Sequence, residues 1–320
     1  MTSRTACAAA AATALVLCLP AAVQSQPAYP SRPVTLVVPF GPGGTSDIMA
    51  RFLQQPLADQ LGVPVVIDNK AGAGGAIGMT ALKNAQADGY TIGLSVIGPE
   101  VLQPALRSTG YTHENFDHLC GTYDVPLMMM VKPDSPFKSL GDVMAAAKAK
   151  PDQLAYGSSG TGTVLHLSMA MLLDQAKATG LHVPYKSSGE MVTGLLGQQV
   201  ALFNETPTVS TQYKLRGLAV LAKRRLPAYP DVPTAAETGF ALEASVWGGL
   251  IAPKGLPAPI RQKLEAACQK AAHAEAYTSK ADKANTPLVF RDGKAFGDFV
   301  QAEQVRYTGL IKSLGLAEKQ

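Results

Sequence analysis

Short apolar runs alternate with amphipathic segments along this chain, and the alternation restricts the fold more than any other feature of the sequence. Residues 34–38 (VTLVV) form an apolar, β-branched run, and the apolar residues of segment 48–61 recur at helical spacing. A second apolar run at 63–68, a short helical segment and a third run at 90–96 follow. The pattern is βαβαβ, which predicts a parallel, doubly wound sheet.

A second unit of the same kind begins near Pro126. Ser139 and Asp142 form a capping signal for a helix between two of its strands. The predicted strands of this part of the chain are 127–131, 153–157, and those within the motifs HVPY, QVALF and GLAVLA. A further strand is predicted at 246–253, and two helical segments then close the chain.

The two units predict an α/β fold with two doubly wound domains, the second inserted in the first. We expect the first domain to comprise residues 26–123 and 246–320, and the second to comprise 124–245. Two extended crossings, near 119–131 and 245–252, would form the hinge. The chain has no low-complexity linker, which favours an inserted domain over two domains in series.

The first 25 residues have the pattern of a secretory signal peptide. Arg4 precedes an apolar run from Ala6 to Ala22, and a polar stretch of small residues follows. We expect cleavage after Ser25 and a soluble mature chain, because no later apolar run approaches 18 residues. A lipoprotein signal at Cys18 is the alternative, and the bulky residue before it disfavours that reading.

Composition excludes some partners. The formal net charge is only +4 and no run of five like charges occurs, which argues against nucleic acid as the main partner.

Without the signal peptide two cysteines remain, Cys120 and Cys268. An oxidising compartment favours one disulfide between them, and two buried free thiols are the alternative.

Glycine-rich turns precede two of the predicted helices. PFGPGGTSD (39–47) opens the first helix, and YGSSGTGTVLHL (156–167) repeats the arrangement in the second unit. Ligands of open parallel sheets lie beyond the carboxyl ends of the strands, where helix N-termini attract anions. We therefore expect the two turns to face each other across a cleft and to hold an anion.

Uncharged donors dominate these turns. A third glycine-rich turn, NKAGAGGAIG (69–78), contains Lys70, and no arginine falls in any of the three. Asp47 is most simply a residue of the first helical turn. Hydroxyl and amide donors suit a carboxylate that must bind and leave better than a phosphate.

Enzyme motifs are incomplete throughout the sequence. AGAGGAIG departs from G-x-G-x-x-G at Ile77, no P-loop occurs, and the histidines and cysteines form no ligand cluster. The pairs that a hydrolase would need, Ser159 with His166 or Glu205, follow no spacing motif. His166 is predicted on a helix surface or lining the cleft, and Glu205 in the cleft or in a solvated loop. We predict no catalytic residue, cofactor or metal site.

Several ordered motifs together resemble the Bug family, the periplasmic solute-binding receptors of tripartite tricarboxylate transporters. They are YPSRPVTLVVPFGPGGTSDIMAR, NKAGAGGAIG, YGSSGTGT, HVPYKSSGE, KRRLPAYPDVPTAAETG and WGGLIAPKGLP. The resemblance implies a periplasmic, monomeric receptor of the type II binding-protein (Venus flytrap) architecture. It implies a small carboxylate ligand, a dicarboxylate or an aromatic acid, and membrane permease subunits as partners. A binding subunit of a sensor system would use the same cleft.

The resemblance also implies a set of ligand-binding residues. Phe40 would cover the apolar body of the ligand while the two helix ends each take a carboxylate. The chain departs from the family pattern at Ala201 and at Glu205, where Asp is common, and the longer acid would accept from a hydroxyl or ammonium group of the ligand. The implied set is Phe40, Gly43, Gly44, Thr45, Ser46, Gly75, Ser95, Ser158, Ser159, Gly160, Thr161, Thr163 and Glu205.

Overall fold

A computed structural model describes residues 29–313 and residue 317 of the chain. The predicted signal peptide, residues 1–25, lies outside the described residues. Within the described part of the chain, no helix combines the length and the apolar character that crossing a membrane requires.

Eleven strands are described in this part of the chain. They are β1 (Val34–Val38), β2 (Val65–Asn69), β3 (Thr91–Val96), β4 (Phe116–Pro126), β5 (Met128–Val131), β6 (Ala155–Ser158), β7 (Leu181–Pro184), β8 (Leu202–Glu205), β9 (Arg216–Val220), β10 (Ser245–Pro253) and β11 (Leu288–Asp292). The strands predicted from apolar runs agree with these bounds to within a few residues.

Ten α-helices are described between and after these strands. They are α1 (Thr45–Leu61), α2 (Ala76–Lys83), α3 (Gln103–Leu106), α4 (Leu140–Ala149), α5 (Val164–Gln175), α6 (Ser188–Leu196), α7 (Pro207–Tyr213), α8 (Ala258–His273), α9 (Glu275–Lys283) and α10 (Gly293–Ser313). One π-helical turn, Gly98–Leu102, joins β3 to α3.

The strands form two separate sheets. The first has the order β11-β4-β10-β3-β1-β2, and we call this sheet with its helices the first lobe. The second has the order β7-β6-β8-β5-β9, and we call it with its helices the second lobe. This α/β architecture agrees with the predicted fold class.

Neither sheet is fully parallel: the predicted parallel pairing holds for β1 with β2 and β3 and for β6 with β7 and β8, and it is wrong at β5. Strand β10 pairs antiparallel with both β3 and β4, and β5 pairs antiparallel with both β8 and β9. The physical reason is the connection between lobes. The chain leaves the first lobe along β4 and returns along β10, so these two adjacent strands must run in opposite directions.

The two crossings between the lobes are extended and hydrogen-bonded to each other. Leu127 N donates to Ala244 O at 2.8 Å, and Ser245 pairs with Pro126 between β10 and β4. Pro126, Leu127 and Ser245 fall in the two segments predicted as the hinge, and Ala244 directly precedes one of them.

The end of the chain differs from the prediction of two helical segments. It contains three helices, α8 to α10, and the edge strand β11. The sequence LVFRD is short and half-buried, so it lacks the continuous apolar run that marks the interior strands.

Cys120 in β4 and Cys268 in α8 form a disulfide with Cα atoms 6.5 Å apart, an ordinary separation for such a bond.

Candidate functional site

The N-terminal ends of α1 and α5 line one small cavity between the lobes. Its volume is about 30 Å³. The turns at 40–46 and 157–163 therefore share a space, as the sequence predicts for an anion site. Seven of the residues in the predicted ligand-binding set line it: Phe40, Gly44, Thr45, Ser46, Ser159, Thr163 and Glu205.

The first turn of α1 already holds a carboxylate of the protein. Gly44 is the N-cap and offers no side-chain oxygen, so the turn keeps amide groups without intrahelical partners. The buried Asp47 carboxylate accepts from Gly43 N at 3.1 Å, Arg51 Nε at 2.9 Å and Asn69 Nδ2 at 3.1 Å. Asp47 thus acts as the predicted first-turn residue and fixes the glycine turn.

Glu205 places a second carboxylate beside the same helix end. The residue ends β8 and is 2% exposed. Its Oε1 accepts from Thr45 Oγ1 of the first lobe at 3.0 Å and from Thr206 N at 2.8 Å, while Oε2 accepts from the Ser188 hydroxyl. Burial raises the pKa of Glu205, and these hydrogen bonds oppose the increase.

Three helix N-termini converge on this carboxylate. Thr45 begins α1, Ser188 begins α6, and Thr206 is the N-cap of α7. Each helix end carries partial positive charge, which stabilises the ionised form of a buried acid. Glu205 is therefore not a solvated loop residue, and each of its oxygens already has a partner within the protein.

The first turn of α5 has a different composition. Its N-cap, Thr163, accepts from His166 N at 3.4 Å, and the turn contains no acidic residue. Val164 and Leu165 line the cavity, and their amide groups precede the first intrahelical bond, from Leu167 N to Thr163 O at 2.9 Å. Ser159 adds a hydroxyl beside them.

Two histidines support the second glycine turn from behind. His182 Nε2 lies 2.6 Å from Ser158 Oγ, and His166 Nδ1 accepts from Gly162 N at 3.2 Å. Their rings stack with centroids 4.0 Å apart. Burial lowers the pKa of His166, and burial together with the neighbouring His166 lowers the pKa of His182 to about 4.

Six residues of the predicted ligand-binding set lie outside the cavity lining. Ser95 donates to the buried Glu100, Ser158 bonds to His182, and the Thr161 carbonyl accepts from Gln103 Nε2 at 2.9 Å. Gly43 and Gly160 lie against the opposite lobe, at Gly189 and Gly74, whereas Gly75 packs against Pro99 of its own lobe. The six are Gly43, Gly75, Ser95, Ser158, Gly160 and Thr161.

Seven lining residues are absent from the predicted ligand-binding set. Ser188 begins α6 after an ordinary capping serine, and Gly98 belongs to the π-helical turn. In the sequence, only a position shortly after a strand would have marked Ser188 or Gly98 as a lining residue, and many other residues occupy such positions. The seven are Val96, Ile97, Gly98, Val164, Leu165, Ser188 and Val246.

The side chains of the cavity offer binding groups and no nucleophile with a base. His166 Nδ1 accepts from Gly162 N, and Glu205 accepts from Thr45, Thr206 and Ser188; no hydrogen bond among the described residues joins either side chain to Ser159. In residues 29–313 and 317, no group of three or more His, Cys, Asp or Glu side chains is arranged to hold a metal. A larger groove of about 810 Å³ between α5 and α10 is open and lacks both glycine turns.

Known proteins share this fold over nearly the whole chain. The chain is 35% identical over 307 residues to protein BugT of Bordetella pertussis, covering 92% of this chain and 93% of that one. The structure of the periplasmic binding protein BugD matches with a TM-score of 0.87 and 32% identity, covering 91% of this chain and 100% of that one.

A second structure carries a ligand. The Rpa4515 protein of R. palustris, solved with adipate, matches with a TM-score of 0.84 and 30% identity over 90% of this chain and 99% of that one. The family model for the tripartite tricarboxylate transporter family receptor, TctC, matches residues 49–316. This chain therefore belongs to the tripartite tricarboxylate transporter receptor family, the Bug-type periplasmic binding proteins.

Proposed function

We propose that this protein binds a small carboxylate between its lobes and delivers it to the membrane permease subunits of a tripartite tricarboxylate transporter. The observation that carries the proposal is the single cavity shared by the first turns of α1 and α5. Amide groups at helix N-termini attract anions, and here one such end comes from each lobe. The complex of a relative with adipate supports the same ligand class.

Lobe separation is required for a ligand to enter. A cavity of about 30 Å³ has room for about two water molecules, less than any carboxylic acid needs. The lobes are bridged by Asn285 Nδ2, which donates to Thr211 Oγ1 at 3.0 Å, and by the pair Thr208–Thr286 at 2.5 Å. We propose opening about the two crossings, with residues 26–123 plus 246–320 moving against 124–245.

Export to the periplasm is part of the proposal. Residues 1–25 would direct secretion and be removed, and the mature receptor would act as a monomer. A ligand shifts the lobes towards closure only if it binds the closed form more tightly than the open form. Groups contributed by both lobes provide that difference, since they converge only on closure.

Calorimetry on two variants tests the proposed site. Thr45→Val and Ser159→Ala each remove one hydroxyl from the cavity, and we expect each to weaken carboxylate binding about 5- to 100-fold. Thr193→Val, an exposed threonine on α6 outside the cavity, is the matched control and should bind like the wild type. Unchanged affinity in both cavity variants would exclude this cavity as the site.

A growth experiment separates transport from sensing. A strain that lacks the receptor should fail to grow on its ligand as sole carbon source if the protein delivers cargo to a permease. Normal growth combined with a lost transcriptional response to the ligand would instead identify a sensor subunit.

A further inference from the structure

We propose that Glu205 restricts this site to monocarboxylates, with the single ligand carboxylate held at the start of α5. The inference rests on the proposed function and specifies its ligand class. It replaces the expectation from sequence that both helix ends take a ligand carboxylate. The reason is an asymmetry between the two helix ends that face the cavity.

Protein carboxylates already occupy the α1 end. Asp47 is buried within the first turn and accepts three hydrogen bonds, from Gly43, Arg51 and Asn69. Glu205 engages the hydroxyl of Thr45, the first residue of the helix, at 3.0 Å. The Asp47 charge is paired with Arg51, so Glu205 is the unpaired negative group that offsets the partial positive charge of this helix end.

The α5 end has no such carboxylate. Its first turn contains no acidic residue, and its N-cap is the neutral Thr163. Val164 and Leu165 line the cavity at this end, together with the hydroxyl-bearing Ser159. The positive end of this helix therefore remains available to one carboxylate from a ligand.

Charge within the cavity disfavours a second ligand carboxylate. Glu205 is the one ionisable side chain among the described lining residues, and no lysine, arginine or histidine lines the cavity beside it. A dicarboxylate that reached from α5 towards α1 would place its far charge next to a buried acid without a counter-ion.

The apolar part of the cavity lining fits an uncharged ligand end. Phe40, Val96 and Ile97 provide apolar surface, and Glu205 Oε2, which accepts only from Ser188, has capacity for one donor from a ligand. The predicted ligand is a small monocarboxylate whose opposite end is apolar or bears a hydrogen-bond donor. This distinguishes the chain from the Rpa4515 protein, whose structure contains the dicarboxylate adipate.

Titration calorimetry with length-matched acids tests the inference at pH 7.5. The pairs are butanoate against succinate and hexanoate against adipate, with monomethyl adipate as a singly charged analogue of adipate. We expect the wild-type protein to bind each monocarboxylate at least tenfold more tightly than its dicarboxylate partner. Monomethyl adipate should likewise bind at least tenfold more tightly than adipate.

Substitution of the acid gives the second arm. Glu205→Gln keeps the side-chain volume and removes the charge, and we expect the preference for each monocarboxylate over its dicarboxylate partner to fall at least tenfold. The matched control is Glu303→Gln, which removes a buried carboxylate that bonds Trp247 Nε1 outside the cavity. This control should keep the wild-type preference.

The outcomes separate the inference from the function on which it rests. Dicarboxylates that bind the wild type as tightly as their partners would overturn the inference and leave the receptor function intact. An unchanged preference in a folded Glu205→Gln protein would overturn the role of Glu205. Should none of the acids bind, the proposed function and the inference both fail. The monomethyl adipate comparison needs no variant, so it decides the ligand class even if Glu205→Gln does not fold.

Discussion

Gly41 lies where the first lobe contacts the second. Its replacement by alanine should destabilise the closed form of the protein and leave the open form unaffected. A Cβ atom at Gly41 would lie 2.9 Å from Ser187 Cβ and 3.4 Å from Ser187 Oγ, in the second lobe. Real Cβ contacts rarely fall below 3.4 Å, so closure would require a shift of the α6 start. The backbone of Gly41 is outside the left-handed region, so alanine causes no strain there when the lobes are apart.

The expected magnitude follows from the cost of overpacking. An added methyl group in a tight contact typically costs about 1–3 kcal/mol. Because only the closed form pays this cost, the apparent affinity for a carboxylate should fall about 5- to 150-fold. The unfolding temperature of ligand-free, open Gly41→Ala should differ little from that of the wild type.

The assay is titration calorimetry on three proteins. Gly41→Ala should bind weakly, and the double variant Gly41→Ala with Ser187→Gly, which removes the opposing Cβ, should recover most of the lost affinity. Glycine replaces serine at an N-cap with a loss of only a few tenths of a kcal/mol. Wild-type affinity in Gly41→Ala, or no recovery in the double variant, would refute the closed arrangement of the lobes.

Two further predictions concern stability. Burial and the neighbouring His166 lower the pKa of His182 to about 4 in the folded protein, against about 6.5 in the unfolded chain. Between these two pH values the unfolded chain binds more protons, so the folded protein loses stability as pH decreases from about 6.5 to about 4. The shift corresponds to at most about 3 kcal/mol, and partial exposure reduces this to about 1–2 kcal/mol. Urea unfolding of the wild type and of His182→Gln at pH 7.5 and at pH 5 measures the effect, and the free energy of unfolding should decrease less in the variant. Equal decreases in the two proteins would contradict the assignment. Cys120→Ala combined with Cys268→Ala removes a cross-link that closes 148 residues and should cost about 2–5 kcal/mol. A melting temperature equal to that of the oxidised wild type would contradict it.

Local chemistry is what the sequence determined by itself. Apolar runs such as 34–38 and 90–96 marked the strands because buried parallel strands need continuous apolar side chains. Glycines and hydroxyl residues after strand ends marked both anion-attracting helix starts, including Thr45 and Ser159. Ordered motifs along the chain indicated the family, and the match to the family model confirms it.

Packing between distant segments was decided only by the tertiary structure. Residues 45 and 205 meet through a hydrogen bond that forms where two lobes close, and no spacing along the chain encodes such a contact. The same holds for Ser188, for the stacked pair of His166 and His182, and for the antiparallel strand β10. A local pattern determines which groups a segment offers, whereas the partners of those groups depend on how the segments are brought together.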